Sequence, residues 1–221
     1  MKSHPRILFK PMPIKKQRGV VLFFALISLL AIMLAAVALV RSVDTNTIIA
    51  GNLAFQQAAT RSADAGTEAA ITWLAAIETA NASKNVLIDS NHPFNQNDAT
   101  NGYYASTDPA KSLTPPMSAP YTSVFNWDNS DSKALAAADS SGNSTRYVIQ
   151  RECRTAGVGA KDASCLFSSA TVDNNNQNIR LPQDICNGPG CPAAGQTPQI
   201  RITSRTTGPR NTLSYVQTFV Y

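Results

Sequence analysis

An α+β fold is predicted from this sequence: a long N-terminal α-helix, membrane-spanning in its first half, packed on a C-terminal antiparallel β-sheet with irregular loops. Three observations carry that prediction. Residues 20–40 form an uncharged apolar run, and residues 53–80 a proline-free, alanine-rich one. Residues 199–221 read as two arms of alternating polarity around a turn. Between them, residues 81–145 gather Asn, Asp, Ser and Pro, the composition of loops. The chain divides into a basic leader (1–19), the apolar half of the helix (20–41), its amphipathic half (42–80) and a β-rich head (81–221).

The leader holds Lys2, Arg6, Lys10, Lys15, Lys16 and Arg18 and no acid. The whole chain has 19 basic and 14 acidic side chains, a net of +5; without the six leader cations the balance is 13 against 14, a net of −1. The basic character therefore belongs to the leader. No basic patch interleaved with aromatics follows, which argues against a nucleic-acid partner.

From Val20 to Val40 twenty-one residues carry no charge, and Ser28 is the only polar side chain. A helix of that length spans ~31 Å, matching the ~30 Å hydrocarbon core of a bilayer. Basic residues crowd its N-terminal flank while Arg41 alone follows it, so the positive-inside bias puts residues 1–19 in the cytoplasm and the head outside. On hydropathy alone this is an uncleaved single-pass anchor. A secretory signal cut after Ala36-Val37-Ala38 is the rival, although such signals use a shorter apolar region of about 7–15 residues.

The helix is predicted to continue past Arg41 to Asn81. Ala59, Ala63, Gly66, Ala70, Trp73 and Ile77 recur at alternating spacings of four and three and so share one face. That face is small in its middle, where a sheet can approach, and large at its end, where Trp73 and Leu74 anchor a core. Gly51-Asn52 is the weakest point, since glycine costs ~1 kcal/mol relative to alanine; a bend or local melting is expected there.

In residues 81–145 the apolar islands are Val86-Leu87-Ile88 and Tyr121 to Trp127, among Pro93, Pro109, Pro115, Pro116 and Pro120. Phe125 and Trp127 alternate as in a short strand, and Lys133 to Asp139 could form a helical turn or two. The clearest strands come later: Arg146 to Cys153, then Gln199 to Thr206 and Thr212 to Tyr221 as a hairpin around Thr207-Gly208-Pro209-Arg210-Asn211. In the last arm Tyr215, Gln217, Phe219 and Tyr221 share one face and Val216, Thr218 and Val220 the other. One of those faces packs on the helix.

Cys153, Cys165, Cys186 and Cys191 all lie in the exported part, and an even count in an oxidising compartment suggests two disulfides. The Gly188-Pro189-Gly190 turn favours Cys186–Cys191, which leaves Cys153–Cys165; each bridge would stabilise by about 2–4 kcal/mol. The crossed pairing stays open if residues 146–153 lie beside 181–191. Zinc fits the cysteine spacings poorly. His92 is the only histidine outside the leader, so a triad has one candidate and no nucleophile setting. The Asp173-Asn174-Asn175-Asn176 loop lacks the glycine and closing glutamate of a calcium loop. No phosphate-cradling glycine motif occurs. The sequence argues for no metal, no cofactor and no enzyme.

Two stretches carry a family resemblance. Lys15-Lys16-Gln17-Arg18-Gly19 followed by Val20-Val21-Leu22-Phe23-Phe24 resembles the class III signal of type IV pilins and pseudopilins. Ala50-Gly51-Asn52 and Ala54-Phe55-Gln56, followed by Ala58 and Ala59, are similar to the corresponding segment of PilX-type minor pilins. The resemblance covers roughly residues 15–80 and the closing strands. It implies the pilin fold, cleavage by a prepilin peptidase between Gly19 and Val20, and N-methylation of Val20. Most pilins carry a glutamate where this chain has Phe24, a departure that PilX-type proteins share and that suits a tip or priming subunit.

By that resemblance the protein would sit in a bacterial inner membrane, head in the periplasm, and then enter a pilus. Its partners would be other minor pilins and a large pilus-tip adhesin. Two other readings stand beside it: a tip pseudopilin of a type II secretion system, and a periplasmic binding or sensor module on an uncleaved anchor.

Overall fold

A computed structural model describes residues 19–108, 111–113 and 123–221. The described residues divide into two units, which meet between Gly51 and Asn52. In the first, Gly19 precedes helix α1 (Val20–Ala80), and every residue from Gly19 to Ala50 is exposed. The polar side chains after Arg41 turn back on the helix: the Thr45 hydroxyl donates to the Arg41 carbonyl (2.9 Å) and that of Thr47 to the Val43 carbonyl (2.9 Å). α1 runs through Gly51-Asn52 without local melting. Helix formation is cooperative, so the ~1 kcal/mol penalty of one glycine is absorbed by the hydrogen-bonded turns on either side.

The second unit lays the end of α1 on a sheet, the α+β arrangement. Its strands are β1 (Tyr103–Tyr104), β2 (Lys111–Ser112), β3 (Ser123–Val124), β4 (Lys133–Ala134), β5 (Ser144–Arg151), β6 (Ile200–Thr207) and β7 (Leu213–Val220). The meander β5-β6-β7 is antiparallel, with Ile149 opposite Ile202 and Ile202 opposite Thr218. On the free edge of β5, β4 pairs antiparallel at Tyr147 and Arg146, while β1 adds a two-residue parallel pairing at Ile149 and Gln150. The sheet is thus antiparallel in its body and mixed at one edge. β2 and β3 make a separate parallel pair.

Local chemistry explains the boundaries. Asn81 ends α1 by directing its Nδ2 to the Ile77 carbonyl (2.9 Å). The β6–β7 connection is a 3₁₀ turn at Pro209–Asn211 in which Arg210 and Asn211 take left-handed backbone angles, φ 58° each. Lys133 to Asp139 does not coil: Lys133 and Ala134 pair with β5, and the Leu135 N–H reaches the Thr145 carbonyl (3.0 Å). The unmet backbone groups of an edge strand outcompete a short helix.

Phe125 and Trp127 do not extend a strand. Pairing stops at Val124, and the Asp131 carboxylate takes the Asn126 N–H (3.0 Å), closing a loop. Phe125 is nonetheless buried, edge-on to Tyr104 at 5.1 Å. Pro109, Pro115, Pro116, Pro120 and Tyr121 lie outside the described residues.

Alternation along the strands assigns the faces. Thr145, Tyr147, Ile149 and Arg151 of β5 lie in register with Thr206, Ser204, Ile202 and Ile200 of β6 on the side that meets α1. There Ala70, Leu74, Tyr103, Tyr147, Ile149 and Ile202 form the main core, with Val220 packed against it. The Val216-Thr218-Val220 face of β7 is therefore the one turned to the helix. On the opposite side Leu113, Phe125 and Val148 make a smaller cluster.

Candidate functional site

The first unit presents its chemistry on the outside. Gly19 takes a left-handed conformation (φ 52°) one residue before the helix begins, a backbone geometry that glycine adopts without a Cβ penalty. Lys15, Lys16 and Arg18 lie outside the described residues. Val20 is 59% exposed and Phe24 63%, and the exposed large side chains between Val20 and Val40 are aliphatic or phenyl apart from the thioether of Met33. A helix apolar all round is stable only where something other than water surrounds it. Among the described residues, α1 is the one helix long and apolar enough to cross a membrane.

The contact between α1 and the sheet is more polar than the sequence suggested. Ala59, Ala63, Gly66 and Ala70 are buried as their spacing implies and Trp73 and Ile77 of the same series are half-buried, but Ser62, Thr67 and Leu74 are buried with them. Their hydroxyls meet strand hydroxyls: Ser62 with Thr145 (2.8 Å), Thr145 with Thr206 (2.7 Å) and Thr67 with Ser204 (3.3 Å). Thr60 and Ser214 (3.1 Å) continue the seam at its rim. Gly66 lies within it. A Cβ there would stand 2.7 Å from Thr145 Cγ2 and 2.8 Å from Ser204 Oγ, so the helix sits as close as a bare backbone allows.

At the other end of this contact a groove of about 380 Å³ opens. Leu74, Val86, Phe94, Pro198, Ile200 and Val220 supply apolar walls, and Glu78 and Arg151 also line it. Arg151 is only 1% exposed. Its Nε donates to the Ala105 carbonyl (3.0 Å) and its Nη1 to Asn95 Oδ1, while the buried Nη2 has no hydrogen-bond partner. Asn95, itself fully buried, is held by its Nδ2 bonds to the carbonyls of Val86 (2.8 Å) and Asp89 (2.6 Å). Burial lowers the pKa of the guanidinium, which nevertheless stays charged. Burial likewise raises the Tyr103 hydroxyl, which stays protonated and donates to the Phe94 carbonyl (2.8 Å).

Neither Arg151 nor Asn95 stood out in the sequence, although the signal was there. Tyr147 and Ile149 face the helix, so Arg151, two residues on, must face it too. A charge at a core position of a strand asks what compensates it.

The remaining candidates are structural. The bridges are Cys153–Cys165 and Cys186–Cys191, and no cysteine is free. His92 is buried; its Nδ1 accepts the Phe94 N–H (3.1 Å) and caps a 3₁₀ turn at Pro93–Asn95. The Asp173 carboxylate is occupied by the N–H groups of Asn175 (2.9 Å) and Gln177 (2.8 Å). Among the described residues no three His, Cys, Asp or Glu side chains gather as a metal site. No family model, curated protein or solved structure matches the chain.

Proposed function

We propose that this protein is a minor pilin of the PilX type, an assembly subunit that helps initiate a type IV pilus or forms its tip. The observation that carries this reading is the uncharged, wholly exposed helical segment Val20–Val40, which begins one residue after a left-handed Gly19 and belongs to the same helix that packs on the β5-β6-β7 meander. An apolar surface of that extent needs lipid or other apolar helices around it. A pilin uses both in turn, lipid before assembly and sister helices after it.

Phe24 fits the same reading. A carboxylate at this depth is costly in lipid unless it is paired, and a subunit with no neighbour above it has nothing to pair with. The alanines between Ala31 and Ala38 allow close van der Waals packing of helix on helix. Prepilin peptidase, other minor pilins and a tip adhesin are the proposed partners, and Gly19 and Val20 the processed residues.

Mass spectrometry of the mature N-terminus in the native host tests this directly. A chain beginning with methylated Val20 supports the proposal. A chain retaining Met1 returns the protein to a static anchor carrying a binding or sensor head, and one beginning at Leu39 makes it an ordinary secreted protein. Deletion separates the remaining rival, since loss of surface fibres points to the pilus and loss of protein secretion with normal fibres to a pseudopilin.

A further inference from the structure

We propose that the groove between α1 and the β5-β6-β7 meander is a binding site for a small apolar monocarboxylate, held by Arg151, which lines it. The inference concerns the head alone and does not depend on the assembly role proposed above. Three observations place the ligand chemistry. First, the walls are apolar on every element that contributes: Leu74 from α1, Val86 and Phe94 from the segment after it, Pro198 and Ile200 at the start of β6, and Val220 at the end of β7. A concave apolar site of this volume, with few polar groups to fix orientation, is the common form of a small-molecule pocket.

Second, Arg151 is 1% exposed and has no carboxylate partner: the one ion pair among the described residues is Arg201–Glu152 (3.0 Å). A buried cation stabilised only by an amide and a carbonyl is strongly under-compensated. Third, Nη2 is the one guanidinium nitrogen with no acceptor, and the two bonded nitrogens are fixed by Asn95 and Ala105. The guanidinium is therefore pre-oriented, so a carboxylate oxygen would gain a charge-assisted hydrogen bond without first ordering the side chain.

Shape and charge narrow the ligand. Arg151 is buried where it lines the groove, so a slender head group on a flexible tail approaches it more readily than a flat protein surface does. Glu78 also lines the groove and disfavours a second negative charge on the ligand. The fit is thus to one carboxylate on an aliphatic or aromatic body.

The test uses the full chain in nonionic detergent, with octanoate as probe and octanol and octylamine as neutral and cationic counterparts of equal length, read by calorimetry. All three partition into micelles, so the signal sought is the saturable component that a variant removes. Octanoate is expected to bind one site at least tenfold tighter than octanol. Arg151→Met should abolish that preference. Because loss of the Asn95 and Ala105 bonds could unfold this variant, Ala75→Trp serves as a second; Ala75 is exposed on α1 and lines the groove, so the indole fills it without entering the core. It should weaken octanoate binding at least tenfold in a protein that melts normally. Glu78→Gln should leave octanoate binding intact or tighten it. Equal binding of octanoate and octanol overturns the proposal, as does octanoate binding that survives Ala75→Trp. Binding of a peptide ending in a leucine carboxylate where octanoate fails would also overturn it, reassigning the groove to a protein terminus.

Discussion

Adding one methyl group at Gly66 should destabilise the head, although the same change in an isolated helix would stabilise it. Alanine is favoured over glycine in a helix interior by ~1 kcal/mol. Against that gain stands the close approach: the new Cβ would meet Thr145 Cγ2 at 2.7 Å and Ser204 Oγ at 2.8 Å, where ordinary contact begins near 3.4 Å. Neither neighbour yields freely. Thr145 is β-branched and bonded to both Ser62 and Thr206, and Ser204 is bonded to Thr67. Overpacking of this kind costs ~1–3 kcal/mol, and each buried hydroxyl pair pulled out of range adds ~1 kcal/mol.

The net expectation for Gly66→Ala is a loss of about 2 kcal/mol. For a unit the size of Asn52–Tyr221 that corresponds to a melting temperature ~4–8 °C lower. The assay is thermal unfolding of the detergent-solubilised chain followed by near-ultraviolet circular dichroism. Gly51→Ala is the internal control, because a Cβ there meets nothing within 4 Å and should leave the melting temperature unchanged or raise it. A Gly66→Ala protein that melts at or above the wild-type temperature would refute the claim that helix and sheet are in backbone-limited contact.

Three further outcomes are expected. Replacing Cys153 and Cys165 with serine should cost ~3 kcal/mol and replacing Cys186 and Cys191 ~2 kcal/mol, because the first bridge closes the longer loop (separation 12 against 5); chemical denaturation of the two double variants should give that ranking. The Asn143 side chain, its backbone N–H and that of Ser141 hold the Asp139 carboxyl below the ordinary carboxylate range, so the turn should be firm at neutral pH and weaken as pH falls through the depressed value. A carbon-detected NMR titration should show Asp139 moving up towards its ordinary value in Asn143→Ala. Burial lowers His92 below 6.5, outweighing Glu78 and Asp89, which raise it, while Lys84 and Arg151 add to the depression. The folded state therefore holds His92 neutral where the unfolded chain protonates it, so stability should fall as pH drops below about 6.5, and His92→Asn should flatten that slope in denaturant titrations at pH 7.5 and 5.5.

The long elements were legible because their signals are periodic. The spacing of Ala59, Ala63, Gly66 and Ala70 marked the buried face of α1, and alternation marked β5, β6 and β7 to within two residues at either end. The short elements were not. Lys133 and Ala134 become a strand only because β5 offers an open edge, and Phe125 is buried from a loop because Asp131 ties the chain there; neither cause lies within the segment's own residues. Ser62 and Thr67 were passed over because a search for apolar periodicity discards hydroxyls, although threonines and serines at the facing strand positions were the matching half of the pattern. Arg151 was passed over for the opposite reason: strand parity placed it in the core, but a charge at the end of a strand reads at first as solvent-facing.

The composition of α1 changes along its length. Up to Val40 its side chains are, but for Ser28, apolar on all sides, and all of them are exposed. Beyond Asn52 alanine, glycine, serine and threonine dominate the buried side, so the helix gains less from apolar area than from closeness and from paired hydroxyls. Such a seam depends on geometry, since each hydroxyl is satisfied only in one register and a slip of one residue would leave several of them buried without partners. The sheet is consequently fixed along α1 by specific bonds as well as by the apolar core at the end of the helix. A head whose apolar groove holds an under-compensated arginine gains from that rigidity, because the guanidinium keeps its orientation only while β5 and the segment bearing Asn95 keep theirs.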